Sequence, residues 1–360
     1  GIFMKEWHSL YESKSGERGI FNRVSAKKQV ESTGRRDSSH EFGTNPCGEI
    51  ILRPFGFCNL SEVIVRSSDN FDDLRKKVRL ASIIGTFQST LTDFKYIRKQ
   101  WQINAEDERL LGVSMTGIMD HGILAKQGTG FFTEDGVKSM EDALTALKNE
   151  CIETNKQWAA KIGINPSTSI TTVKPSGTVS QLADSASGIH TRHSQYYVRT
   201  VRADAKDPLA LFLKEAGLPN ELDVTNPSNV VFSFPIAAPN GCITRHERTA
   251  IQVLEHYLVF KSSWCEHNPS ITVYVKEDEW MEVGAWVYQH LNDIGGVSFL
   301  PHNDHVYQQA PYQDITQAEF EQLAANMPKI DWENFDQFEV DDANMNMHEL
   351  SCVGGFCETP

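Results

Sequence analysis

The sequence predicts an α/β fold built around a largely parallel sheet, either open or closed into a barrel. Three observations carry this expectation. From residue 169 onward, short β-rich runs alternate with longer runs of helical period. The chain has 360 residues, enough for two or three domains or for one large α/β barrel with attachments. Its composition, 40% apolar and 23% charged, is that of a globular protein able to bury a sizeable core.

In chain order, Asn70 can cap a helix whose apolar positions Phe71, Leu74, Val78, Ile84, Phe87 and Leu91 keep mostly three- and four-residue spacing, which places them on one broad face. Thr133 can start a second helix, with Val137, Met140, Leu144, Leu147, Cys151, Trp158 and Ile162 along its stripe and Gly163 as its stop. Strands are expected at 169–173, 196–201, 230–234, 271–275 and 297–300. Helices are expected between them at 209–216, 249–264, 277–292 and 317–327. The stretch 331–349 is acidic, amide-rich and poor in β-branched residues, and reads as a tether.

Several function classes are excluded by composition. With 34 basic and 48 acidic residues, a net charge of −14 repels phosphate backbones and anionic lipid, so direct DNA binding is not expected. Apolar stretches such as 229–238 fall far short of the roughly 20 residues that span a bilayer, so no membrane partner is expected. The start, GIFMKEWHSL, lacks the pattern of a secretory signal. Seven cysteines are an odd number without the density of a disulfide scaffold, so a reducing cytoplasm is the expected location. Gly stands first and Met4 falls inside a segment that reads as packed, which suggests a fragment, a split-gene product or a processed piece.

The chemistry concentrates in TNPCGEIILRPFGFCNLSEV, 44–63. If 45–49 is extended, Asn45, Cys47 and Glu49 share one face, so an amide, a thiol and a carboxylate line one wall. Pro46 and Gly48 equally allow a tight turn that pushes the three into a cavity as the tip of a finger. Pro54 and Gly56 invite a bend that can return Cys58 toward Cys47. Two thiols, a carboxylate and an amide in one pocket suit redox work with proton transfer; a buried turn holding two inert cysteines fits the spacing as well. Zinc fits less well, because ten residues separate the two cysteines and structural zinc uses short knuckles.

Two further motifs stand out. Cys352 and Cys357, with two glycines between them, can reach disulfide distance at the end of the tether, as a dithiol shuttle or as incidental cysteines of a tail. KPSGTVSQL, 174–182, follows a strand-like run and offers backbone N–H groups and hydroxyls to an anion; a plain helix cap explains it too, and it is not a Walker loop. Cys151 lies on an apolar helical stripe and reads as core, whereas Cys242 and Cys265 have no assignable job. His190 and His193, and Glu266 and His267 beside Cys265, read as ordinary polar residues, not as metal ligands.

NPCGE followed by CNLSE, then KPSGT, then GVSFLPHNDHVYQQAPY and a terminal cysteine pair resemble, in that order, the catalytic C-terminal part of a ribonucleotide reductase. Within that family the sequence is most similar to the monomeric adenosylcobalamin-dependent, class II, ribonucleoside-triphosphate reductases. The resemblance implies a ten-stranded α/β barrel, incomplete in this chain, over 1–330, with a central finger loop at 44–60 and a flexible redox-active tail at 331–360. It implies that Cys47 forms the thiyl radical that takes the ribose 3′ hydrogen, that Glu49 removes the 3′-hydroxyl proton, and that Asn45 orients the sugar hydroxyls. Cys58 is then half of the reducing dithiol, Cys352 and Cys357 are its shuttle, and Pro175, Ser176, Gly177, Thr178, Val179 and Ser180 are the substrate-phosphate loop. Adenosylcobalamin is the implied cofactor. The implied partners are a ribonucleoside tri- or diphosphate, a thioredoxin-like reductant and an N-terminal reductase fragment that holds the second reducing cysteine. Rival readings are a fragment of a class I diphosphate reductase large subunit, in which the adjacent Tyr196 and Tyr197 lack the expected context, and a non-enzymatic zinc, redox or interaction module.

Overall fold

The computed structural model describes residues 1–13, 18–125, 140–302 and 308–339. The chain is mixed α/β and divides into two compact units. The first contains 1–192, 241–243 and 247–302; the second contains 193–240, 244–246 and residues from 303 onward.

The elements of the first unit are α1 (Ile2–Ser13), β1 (Gly19–Phe21), α2 (Arg23–Ser32), β2 (Gly43–Thr44), β3 (Ile51–Leu52), β4 (Asn59–Ile64), α3 (Phe71–Gln88), α4 (Lys99–Glu108), β5 (Leu111–Thr116), α5 (Met140–Ile162), α6 (Gly177–Leu182), α8 (Ala250–Ser263), β9 (Thr272–Val275), α9 (Trp280–Gln289) and β10 (Gly296–Pro301). Its scaffold is a row of parallel segments. β4 pairs with β5 from Asn59 opposite Leu111 to Ile64 opposite Thr116. β5 in turn hydrogen-bonds to 169–173, where Leu111 N–H donates to Ser169 O (3.0 Å) and Val113 N–H to Ile170 O (2.8 Å). Ser270 N–H donates to Val173 O (2.8 Å), which brings in the segment that becomes β9, and β9 runs parallel to β10. β1 closes the row in antiparallel register, Gly19 opposite Ser298. Among the described residues β4 pairs with β5 alone.

Among the described residues the expected ten-stranded barrel does not appear as one sheet; their strands fall into four small sheets. The run 169–173 is joined to its neighbours by isolated bridges at Thr171 and Val173 without forming a regular strand. Every residue of β5 is buried, as a parallel strand covered on both faces requires. The core beneath α3, α5 and α8 includes Leu74, Val78, Leu111, Leu144, Tyr257 and Phe260.

α3 starts at Asn70, whose side chain and that of Asp73 cap each other's backbone N–H groups (2.9 and 3.2 Å). Its buried face differs from the expected one. Leu74, Val78, Ala81, Ser82, Gly85 and Thr86 face inward, while Ile84 and Leu91 are 62% and 70% exposed. Gly85 permits this, because a Cβ there would stand 3.3 Å from Leu111. α5 coincides with the second expected helix from Met140 onward, with Cys151 fully buried; 133–139 lie outside the described residues. No helix among the described residues is long and apolar enough to cross a membrane.

The second unit holds β6 (Tyr196–Asp204), α7 (Pro208–Glu215), β7 (Asn220–Leu222), β8 (Asn229–Ala237), β11 (Tyr312–Asp314) and α10 (Gln317–Ala325). Its sheet, ordered β11-β6-β8-β7, is antiparallel throughout, which departs from the expected parallel arrangement. The expected tether begins inside folded chain. Trp332–Gln337 forms a 3-10 helix, and the rings of Trp332, Phe335 and Phe338 surround Phe212 at 5.5, 5.4 and 5.4 Å. Three aromatic contacts of this kind hold a short polar segment that its composition alone does not.

Candidate active site

β2 and β3 form a hairpin, Gly43 opposite Leu52 and Thr44 opposite Ile51, and its tip is Asn45–Ile50. The tip is a turn, not an extended segment. Gly48 N–H donates to Asn45 O (3.0 Å), with Pro46 and Cys47 between them, and Gly48 takes φ +79°. Proline presets the first central dihedral, and glycine tolerates the left-handed conformation that leads back into β3. The tight turn, and not the extended arrangement, is thus the one adopted.

The tip leaves three consecutive carbonyls outside the hairpin ladder, and each meets a donor from the parallel row. The Ser270 hydroxyl donates to Cys47 O (2.6 Å), the Asn268 side-chain amide to Gly48 O (3.0 Å), and the Asn268 backbone N–H to Glu49 O (3.0 Å). The Thr172 hydroxyl stands 2.8 Å from Glu49 O and 2.9 Å from Asn268 O, and its one proton serves both. At the start of β3, Ile51 N–H donates to His267 Nδ1 (3.3 Å), while His267 Nε2 faces Leu111 O (2.9 Å). Burial pushes that imidazole down to about 3, so it stays neutral and can accept.

Cys47 is half-buried and lines a cleft with Gly19, Pro46, Ser270, Gly296 and Ser298. Glu49 is 1% exposed, and its Oε2 has no hydrogen-bond partner among the described residues. Burial raises its carboxyl above the ordinary range, opposed by a hydrogen bond from Asn45 and the charge of Lys174. The Asn45 carbonyl oxygen accepts from Ile50 N–H (3.0 Å), so its amide N–H groups are the ones turned toward Glu49 and solvent.

The finger returns through a turn at Arg53–Gly56, where Gly56 N–H donates to Arg53 O (2.9 Å). Phe55 occupies the position that requires positive φ (+59°), and Asn104 holds the turn by donating to Pro54 O (2.9 Å) and Phe55 O (3.2 Å). This turn delivers Cys58 to the head of β4. A Cβ on Gly112 would lie 3.3 Å from Cys58 Sγ, so the thiol packs on a strand position without a side chain. Burial, then the charge of Glu49, push the Cys58 thiol up, which places Glu49 and Cys58 in one electrostatic neighbourhood. Behind the finger, Glu108 pairs with Arg36 (2.7 Å) and Arg53 (3.2 Å), all three buried.

The 174–182 loop joins the same neighbourhood through Glu62, a residue the sequence reading passed over. Glu62 accepts from the Ser176 hydroxyl and from the Ser114 hydroxyl (3.1 Å), and Ser114 Oγ accepts from Lys174 N–H (2.8 Å). Burial raises the Glu62 carboxyl, while the charge of Lys174 opposes the rise at both Glu62 and Glu49. The signal was present: Cys58, Leu60 and Glu62 are at alternate positions and share one face of β4. Ser176 has φ +56°, an uncommon conformation for a side-chain-bearing residue. Pro175, Ser176 and Ser180 are buried, Gly177 and Val179 half-buried and Thr178 exposed. Ser176 and Ser180 already use their hydroxyls on Glu62 and on Gly177 O (3.3 Å), so an anion would meet chiefly the backbone N–H groups of 177–179.

The remaining candidates sit elsewhere. Cys352 and Cys357 lie outside the described residues. Cys242 and Cys265 are buried. Glu266 pairs with Arg35 (2.6 Å), and His190 Nε2 accepts from Thr272 N–H (3.0 Å), both in structural roles. In the second unit, His193 and His246 both approach Asp314, at 2.8 and 3.1 Å.

No protein-family model matches the chain. It is 29% identical to the adenosylcobalamin-dependent ribonucleoside-triphosphate reductase of Lactobacillus acidophilus over 346 residues, covering 88% of this chain and 45% of that protein. It is 27% identical to the same-named protein of Lacticaseibacillus paracasei, covering 97% of this chain and 50% of the other, and 27% identical to a probable enzyme of that name from Dictyostelium discoideum. The chain spans about half the length of these curated relatives. In fold it matches a crystal structure of a B12-dependent, class II, ribonucleotide reductase with a TM-score of 0.75 and 23% identity, over 93% of this chain and 50% of that one. It matches the class Id ribonucleotide reductase alpha subunit of Actinobacillus ureae less closely, with a TM-score of 0.55, over 83% of this chain and 61% of that one, at 14% identity. In sequence along most of its length, and in fold, the chain is similar to the adenosylcobalamin-dependent ribonucleoside-triphosphate reductases.

Proposed function

We propose that this chain is the C-terminal catalytic part of an adenosylcobalamin-dependent ribonucleoside-triphosphate reductase, which converts ribonucleotides to 2′-deoxyribonucleotides. One observation carries the reading: a pinned hairpin tip holds Cys47 on a cleft and Glu49, two residues further on, buried with an unpartnered oxygen, and the electrostatics join Glu49 to Cys58 and to Lys174 of the 174–182 loop. The row of parallel segments from β4 to β10 is then part of a ten-stranded barrel, and the edge of β4 opposite β5 is where further strands add, from an N-terminal region or partner.

Each residue type suits its step. Cys47, as a thiyl radical, takes the 3′ hydrogen atom and later returns it. Glu49, whose burial makes it a stronger base than an exposed carboxylate, accepts the 3′-hydroxyl proton. Asn45, its carbonyl spent on Ile50 N–H, orients the hydroxyls as a donor. The 2′-hydroxyl leaves as water, and two electrons and two protons come from a dithiol of which Cys58 is one half. The resulting disulfide is exchanged onto Cys352 and Cys357, which a thioredoxin-like protein or small dithiol reduces. Lys174 and the backbone of 175–180 receive the substrate phosphates.

The cleft beside Cys47 fits the cofactor. Its lining, which includes Gly19, Phe21, Pro46, Ser270, Gly296 and Ser298, carries no charged side chain, so an uncharged nucleoside group approaching the sulfur would meet neutral walls. When bound there, adenosylcobalamin supplies the one-electron oxidation of Cys47. The test mixes the chain with a polypeptide covering the rest of the relatives' length, adenosylcobalamin, a ribonucleoside triphosphate and a dithiol. Deoxyribonucleotide, and a coupled cobalt–sulfur paramagnetic signal that vanishes in Cys47→Ala, are expected. Neither product nor signal would sink the reading; full turnover by this chain alone would sink the need for a partner.

A further inference from the structure

We infer that Asn268 is the positioning residue of the finger, the group that fixes where the Cys47 sulfur stands. The hairpin cannot do this alone. Two backbone hydrogen bonds close the tip, Gly48 N–H to Asn45 O (3.0 Å) and Asn45 N–H to Ile50 O (3.3 Å), and the Cys47, Gly48 and Glu49 carbonyls find no partners within the hairpin ladder. Asn268 takes two of the three, Gly48 O through its side chain and Glu49 O through its backbone N–H. The neighbouring Ser270 takes the third.

The orientation of the Asn268 amide is determined from both ends. Gly295 N–H can only donate, and it donates to the Tyr257 oxygen (3.0 Å). The Tyr257 hydroxyl proton is therefore directed at Asn268 Oδ1 (2.8 Å), which also lies 3.4 Å from Gly296 N. This leaves Nδ2 facing Gly48 O (3.0 Å), Gly296 O (3.2 Å) and its own neighbour Pro269 O (3.0 Å), all obligate acceptors. Tyr257 is fully buried, and Asn268 is 1% exposed. A Cβ at Gly295 would come within 2.3 Å of Asn268 Oδ1, so the glycine clears the space that the amide occupies. A chain Gly295–Tyr257–Asn268–Gly48 thus runs from the residue before β10 to the finger tip, whose Gly48 is 220 positions distant in sequence from its anchor. The role of that sulfur rests on the reductase reading; the placement does not.

Asn268→Asp keeps the acceptor for Tyr257 and turns a second acceptor on Gly48 O. Tyr257→Phe leaves Asn268 in place and removes what orients it. The experiment follows iodoacetamide labelling of the intact chain by mass spectrometry, comparing Cys47 with Cys151 in the core, across pH. In both variants Cys47 labelling changes by about tenfold, the effect of losing roughly one hydrogen bond of ordering, while Cys151 stays protected. Amide exchange at 47–50 rises in parallel. Equal change at Cys47 and Cys151 would show global loosening and overturn the proposal, as would no change at Cys47 in Tyr257→Phe. In the reconstituted system the variants lower kcat and spare KM. Absence of turnover with the labelling difference intact would count against the reductase reading and not against the anchor.

Discussion

The tip and the base of the finger each bury a carboxylate, and they treat it in opposite ways. At the base, Glu108 lies between Arg36 and Arg53, and the negative charge is neutralised by two guanidinium groups. At the tip, Glu49 is as deeply buried, but its compensations are the Asn45 amide, its own backbone N–H and the charge of Lys174, and one oxygen has no hydrogen-bond partner among the described residues. Paired burial makes a rigid joint; unpaired burial makes a group ready to take a proton. The stability that the tip forgoes is what the proposed proton transfer would require.

The largest effect that tests this contrast is on turnover. Cys47→Ser should abolish deoxyribonucleotide formation in the reconstituted system while leaving the urea midpoint of the chain unchanged, because a half-buried thiol and a hydroxyl are close in size; residual turnover measured by product chromatography would break the assignment. At the base, Glu108→Ala leaves the buried Arg36 guanidinium without its carboxylate, while Arg53 keeps Asp107 (2.8 Å), and should cost about 3–5 kcal/mol in urea unfolding. A loss near zero would mean that the pair holds nothing.

Glu49→Gln should act in the other direction. A carboxyl raised by burial penalises the folded state once pH climbs above the ordinary carboxylate value toward the raised one, and below that value both states are protonated and the penalty disappears. The variant is therefore more stable than the parent at neutral pH, and thermal melts at decreasing pH should show the gap closing. A constant gap would remove the titration from the account. Cys58, pushed up by burial and by Glu49, should label slowly with iodoacetamide at pH 8 and faster as pH rises; labelling at the rate of an open peptide thiol would contradict its placement. The smallest effect belongs to Ile84→Lys on the exposed flank of α3, within about 0.5 kcal/mol by the same urea measurement.

Much of the finger was legible before any coordinates. Pro46 and Gly48 are turn residues for local reasons, and Pro54 and Gly56 announce the return bend, so Asn45, Cys47, Glu49 and Cys58 could be grouped from their neighbours alone. The anchor was not legible. Asn268 sits in a stretch whose spacing suggests nothing, and its job is defined by a carbonyl 220 positions away. Glu62 lay within reach of a period-two reading from Cys58, and it was missed because a carboxylate on a strand is ordinarily solvated.

The helices teach the same lesson at lower stakes. Capping chemistry placed the start of α3 at Asn70 correctly. Its buried face is rotated because Ser82 and Thr86 satisfy their hydroxyls on Val78 O and Ser82 O (both 2.7 Å) and can be buried, while Gly85 lets Leu111 approach. Hydrophobicity counts Ile84 and ignores those three. In the second unit, β6 and β8 are expected as pieces of a parallel sheet but pair antiparallel, since alternation reports a strand and not the direction of its partner, and the three-residue β7 and β11 are too short to stand out.

Dihedral preferences and capping act within a few residues, so the sequence alone marks the start of α3 and the turn residues at 46–48 and 54–56. Only the tertiary structure decided which carboxylate is neutralised and which is left bare, what holds the tip in place and which loop shares its field. Those outcomes depend on distances between segments remote along the chain, and burial and Coulomb interaction are set by where the segments meet.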